Sequence, residues 1–130
     1  MNGPGETDLQ TMLDSLDVVR RPGTYTFVSL EVPTPELLAS AHAMVTEGDT
    51  TTLVLPVESA RRVGLDVVVD MAWLSLTVHS SLAAVGLTAA FSKMLGDEGI
   101  SCNVLAGFHH DHILVPADRA DDAIAALRRR

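Results

Sequence analysis

Trp73-Leu74-Ser75-Leu76-Thr77-Val78-His79-Ser80-Ser81-Leu82-Ala83-Ala84-Val85-Gly86-Leu87, then Gly99-Ile100-Ser101-Cys102-Asn103-Val104, then His110-Asp111-His112-Ile113-Leu114-Val115, is the stretch whose reading decides the fold. Ala72, Leu74, Leu76 and Val78 alternate with Trp73, Ser75, Thr77 and His79. That is the period of a strand with the first set turned to a core. From about Ala83 to Asp97 the period becomes helical. Leu87, Phe91, Met94 and Leu95 form one apolar stripe, Ser92, Lys93 and Asp97 point away, and Gly99 stops the helix. Ile100, Cys102, Val104, Ala106 and Phe108 alternate again along a second strand. Asp111 lies near a tight turn, and His112 to Val115 is the return strand. Pro116, with Asp118 as cap, opens a last helix whose apolar face is Ala120, Ala123, Ile124 and Leu127. Asp121 and Asp122 sit in its first turn and Arg128-Arg129-Arg130 at its end, as the helix dipole favours.

Working back from Trp73, the first half carries a similar alternation of elements. Leu9, Met12, Leu13 and Leu16 have helical spacing, with Thr7 or Asp8 as cap. Arg21-Pro22-Gly23 is a turn, and the β-branched and aromatic run Thr24 to Leu30 is a strand. Thr34 and Pro35 suit the cap and first position of a helix, with Leu37, Leu38, Ala41 and Val45 as its apolar stripe. Gly48-Asp49 is a turn, Thr51 to Leu55 a short strand, and Val57 to Arg62 a short helix closed by Gly64. Residues 1–66 are expected to form one unit, with 1–6 as a loose tail, and 67–130 a second.

The chain has 130 residues, 47% of them apolar and 20% charged, which suits a packed soluble domain. Its net charge of −8 argues against nucleic acid binding, which needs a basic surface. The single cysteine, Cys102, excludes an intrachain disulfide and alternates with core positions, so an inert buried thiol is expected. Met1 to Glu6 lacks the basic and apolar regions of a signal peptide. No apolar run reaches the roughly 20 residues of a membrane span. A cytoplasmic protein is the expectation. No serine-hydrolase elbow, phosphate-binding glycine loop or paired-cysteine spacing is present, and no acid–base pair can be assigned. The reading is therefore of a protein that is not an enzyme and needs no cofactor.

The strand–helix–strand–hairpin–strand–helix order from residue 72 to 128, carried by Trp73, His79 to Ala90, Gly99-Ile100-Ser101, Asn103-Val104 and His110 to Pro116, resembles an ACT domain, the small amino-acid-sensing module. It is similar to small bacterial tandem-ACT proteins, to the regulatory ACT domains of aspartokinases and to those of arginine-sensing regulators. Tyr25-Thr26-Phe27 and Thr52 to Leu55 extend the resemblance more loosely over residues 23–65. The resemblance implies an α/β sandwich of the ferredoxin-like βαββαβ type. Two ACT-like units stand in tandem, each with an antiparallel sheet and helices on one face. The last strand of the second unit is missing after residue 128, so a strand from the first half is expected to complete its sheet.

The same resemblance implies where a ligand would sit. The family's loop between first strand and first helix holds the polar head of an amino acid with backbone groups, and a strand asparagine lies nearby. Carried onto this chain, the ligand-binding set is His79, Ser80, Ser81, Leu82, Val85, Gly86, Leu87, Asn103 and Val104. This chain lacks the acid, Pro and Gly common in that loop. The expected function is non-catalytic and regulatory: a small amino acid bound at an interface between ACT units, with output through a homodimer or a partner protein. The alternatives are a dimerisation or partner-interaction module that binds no ligand, and a metal-binding protein using His79, His109, His110 and His112. Consecutive strand residues point to opposite faces, so that histidine run is expected to hold no metal.

Overall fold

The computed structural model describes residues 8–78 and 85–129. In chain order the elements are α1 (Leu9–Ser15), β1 (Val18–Arg20), β2 (Tyr25–Leu30), α2 (Pro35–Ser40), β3 (Ala43–Glu47), β4 (Thr50–Pro56), α3 (Val57–Arg62), β5 (Met71–Leu76), α4 (Leu87–Gly96), β6 (Asn103–Ala106), β7 (Asp111–Pro116) and α5 (Ala120–Arg129). They gather into two compact units, residues 22–71 and residues 1–21 with 72–130. The expected division near residue 66 is thus one of chain order, whereas α1 and β1 pack with the second half of the chain.

In the unit of residues 22–71, β4 lies between β3 and β2 and pairs antiparallel with both. Glu47 and Thr50 face each other across the β3–β4 turn, where Gly48 has φ 61°. A two-residue turn with positive φ at its first central position follows the right-handed twist of the flanking strands. Thr34 caps α2 through Leu37 N–H, with Pro35 in the first turn, as its sequence demands. Val28, Leu37, Leu53, Leu55 and Ala60 form the core beneath α2 and α3. Leu65 and Val67 pack against it. The segment 65–70 alternates half-buried and exposed residues without joining a ladder until Met71 pairs with Tyr25.

One expectation fails here. The helix with a stripe running to Val45 stops at Ser40, and Ala43 to Glu47 is a strand. Leu37, Leu38, Ala41 and Val45 satisfy a helical spacing by coincidence. Ala41 already has extended backbone, His42 N–H bonds Val54 O, and the Gly48 turn returns the chain into β4. Short apolar runs fit both periods, and here the hairpin partner decides.

In the other unit the strand order is β1-β5-β7-β6. The β1/β5 and β6/β7 pairs are antiparallel. The missing strand is therefore supplied from the first half, with Val18 opposite Leu76 and Arg20 opposite Leu74. Ala72, Leu74, Leu76, Ile113 and Val115 face one core with Leu87, Phe91 and Leu95 of α4 and Ala120, Ala123, Ala126 and Leu127 of α5. Met12 and Leu16 of α1 complete it. Asp8 caps α1 by accepting from Thr11 N–H. Beyond α4, Ile100 N–H reaches back to Leu95 O across Gly99 at φ 70°. That is the left-handed stop expected of this glycine.

Several boundaries in this unit differ from the sequence reading: β5 ends at Leu76, short of Val78, and β6 begins at Asn103, after Ile100 and Cys102. α4 begins at Leu87, not near Ala83. The strand expected to run to Phe108 ends at Ala106, because Gly107 N–H turns back to His110 O. Phe108 is 72% exposed at the hairpin tip and faces no core. A short 3-10 turn, Ala117–Arg119, leads into α5 in place of an Asp118 side-chain cap. The terminal arginines do more than oppose the dipole. Arg128 donates to Asp17 Oδ1 at 3.0 Å and Val18 O at 3.2 Å, and Arg129 meets Glu98 at 3.2 Å. Among the described residues no helix is long and apolar enough to cross a membrane.

Candidate functional site

The turn into α4 is where the expected ligand contacts converge in sequence. Of these, His79, Ser80, Ser81 and Leu82 lie outside the described residues. Val85 is 82% exposed. Gly86 stands just before α4 with φ 98° and supplies no capping side chain. The first helical hydrogen bond, from Ala90 N–H to Gly86 O, spans 2.9 Å. The amides of Leu87, Thr88 and Ala89 precede that bond, so they point out of the helix end with the positive end of its dipole. This arrangement favours a carboxylate. The Leu87 side chain itself is core, 4% exposed, so only its backbone can face a ligand.

Asn103 and Val104 separate by strand alternation. Val104 lies opposite Ile113 and packs against the core shared with the helices. Asn103 lies opposite Leu114 on the other face, is exposed, and donates Nδ2–H to Leu114 O at 3.2 Å. Its amide can both donate to a carboxylate and accept from an ammonium.

The face of the sheet turned away from α4 and α5 holds a cluster that sequence reasoning missed. Trp73 is 2% exposed, and the Arg21 guanidinium carbon stands 4.0 Å from its ring centroid. The His112 ring is 5.6 Å from Trp73, and its Nδ1 is 2.8 Å from Ser75 Oγ. Burial, then the charges of Arg21 and His110, hold the His112 imidazolium below the usual histidine range. Burial pushes the Asp111 carboxyl up, partly offset by His110. The alternation that set Trp73 and Ser75 on one face was the available signal. Nothing local announced that His112 would lie across from them.

Cys102 is half-buried, and burial raises its thiol above the ordinary range, with a hydrogen bond from Ser92 opposing. That is the opposite of an activated nucleophile. Among the described residues no three His, Cys, Asp or Glu side chains come together as a metal site. His109 faces Phe108 edge-on at 4.9 Å. In the unit of residues 22–71, a groove of about 500 Å³ runs over the sheet beside Phe27, Ser29, Val45 and Thr52.

ACT-domain family models match residues 4–71 and 68–129. The chain is 38% identical to a Vibrio cholerae protein of unknown function, described as a possible transport protein. It superposes on that structure with TM-score 0.84 over 93% of this chain and 94% of the other. A protein from Agrobacterium tumefaciens is 15% identical, with TM-score 0.66 over 88% and 87% of the two chains. The regulatory subunit of aspartate kinase from Thermus flavus is 12% identical, with TM-score 0.62 over 87% of this chain and 95% of that one. The two more distant structures share the fold. No protein of curated function matches the sequence.

Proposed function

The chain belongs to the ACT-domain family, and from that premise we propose that it is a regulatory protein whose ligand is a small amino acid or similar zwitterion. The observation that carries the reading is an ACT match in each half of the chain, joined to a helix, α4, that opens on a glycine with no capping side chain of its own. Neither match is to a catalytic family.

In this reading the ligand carboxylate faces the first-turn amides of α4, where helix dipole and N–H groups both favour negative charge. Ser80 and Ser81 add hydroxyl donors, His79, Leu82 and Val85 border the loop, and Asn103 serves the ammonium end. Binding favours one arrangement of the chain and shifts its population, which a partner protein or a second copy reads. The cytoplasm is the compartment that fits an amino-acid sensor of this composition.

A thermal-shift screen of the whole chain against each standard amino acid tests this. A ligand at 100 times its dissociation constant adds about 2.7 kcal/mol of stability. One amino acid is expected to raise the midpoint, and Asn103→Ala to abolish the rise. No response to any amino acid would refute the reading in favour of a partner-binding module.

A further inference from the structure

We propose that α1 is a lever on the turn that opens α4: Leu9 holds the Gly86 turn in shape, so that a ligand in front of α4 is felt along α1 and at β1. The inference rests on the ligand-binding reading above and adds the route of its output. A Cβ built on Gly86 would meet Leu9 Cδ2 at 3.1 Å, Cδ1 at 3.7 Å and Cγ at 3.8 Å. The Leu9 side chain therefore fills the space beside a glycine whose φ of 98° few other residues adopt. The Leu9 side chain thus occupies the position next to Gly86 that a larger residue there would need.

α1 is built to move as one piece. Asp8 caps it, and Met12 and Leu16 are buried in the same core as Leu87 and Phe91. Seven helical residues span about 10 Å. At the far end Asp17 follows directly. Its carbonyl accepts from Thr77 N–H at 2.9 Å, and its carboxylate accepts from Val18 N–H at 2.7 Å and from Arg128. Among the described residues β1 then pairs with β5 alone and forms the rim of this unit's sheet. A shift of the Gly86 turn displaces Leu9, tilts α1 about its buried residues and loads Asp17 and β1. A packed core transmits such a displacement because it has little free volume to absorb it.

The test uses Leu9→Ala, with Leu9→Met as the conservative control, in the whole chain. Hydrogen exchange of the Ala90 amide reports the turn without any ligand, because its bond ends on Gly86 O. Leu9→Ala is expected to speed that exchange about tenfold, with Leu9→Met near wild type. The standard amino acids then serve as probes, with exchange at Val18 to Arg20 as the output. The amino acid that stabilises wild type should protect these β1 amides in wild type and fail to do so in Leu9→Ala. Unchanged Ala90 exchange in Leu9→Ala, or β1 protection that survives the substitution, overturns the lever while leaving the ligand reading intact. If no amino acid stabilises wild type, the ligand reading fails and the lever falls with it.

Discussion

Gly86→Ala loads two separable costs on the unit that contains α4, and Gly99→Ala loads only one. Both glycines have positive φ, 98° and 70°, but nothing lies within 4 Å of a Cβ at Gly99. A left-handed backbone costs an L-residue about 1–2 kcal/mol. The lower entropy of an unfolded alanine gives back about 0.4–1 kcal/mol. Gly99→Ala should therefore destabilise by about 1 kcal/mol. At Gly86 the new Cβ also meets Leu9 Cδ2 at 3.1 Å, so the leucine must withdraw by a few tenths of an ångström. Overpacking costs about 1–3 kcal/mol, and a terminal methyl on a flexible side chain belongs at the low end. The sum is about 2 kcal/mol. In a Leu9→Ala background the contact vanishes and the strain stays, so the Gly86→Ala cost should fall back by about 1 kcal/mol, the coupling a double-mutant cycle reads. Urea unfolding followed by fluorescence suits the measurement. Trp73 is the sole tryptophan and is buried in the same compact unit. The midpoint should move at constant slope. Gly86→Ala no worse than Gly99→Ala, or a cost unchanged in the Leu9→Ala background, would refute the contact argument.

His112 should make stability depend on pH. Its folded midpoint lies below the unfolded value of 6.5, so the unfolded chain takes up the proton first. The contribution is complete above pH 6.5 and is lost as pH falls from there to the folded midpoint. Titration of the His112 ring by NMR should give a midpoint below 6.5, and Arg21→Gln should raise it by removing a like charge. A midpoint at or above 6.5 sinks the account. Cys102 should alkylate more slowly in the folded chain than in urea, because burial disfavours its thiolate. Equal rates would mean an exposed, ordinary thiol.

Much of the fold was legible because its signals are local. The alternation of Ala72, Leu74 and Leu76, the Leu87–Phe91–Leu95 stripe, the Thr34–Pro35 start and the Gly48 and Gly99 stops all act within a turn or two of chain. Where two periods fit one short run, as from Leu37 to Val45, the local signal was ambiguous and the β4 pairing settled it. The candidate site divides the same way. Asn103 on a strand could be placed from sequence and resemblance, whereas Gly86, inside the helix expected from about Ala83, proved to stand before it. That Leu87 and Val104 turn their side chains into the core could not, because which face is buried depends on what packs there.

By itself the sequence determined most of the kinds of element and their order, though not the strands β1 and β3, since caps, turns and periodicity are properties of neighbouring residues. Only the tertiary structure decided that β1 closes the sheet of the second half, that Leu9 fills the space a side chain at position 86 would need and that Arg128 holds Asp17, 111 residues away. The same is true of Ser75 and His112, 37 residues apart. Such pairs are selected by burial and hydrogen-bond satisfaction over the whole packed core, and no window of sequence contains both partners.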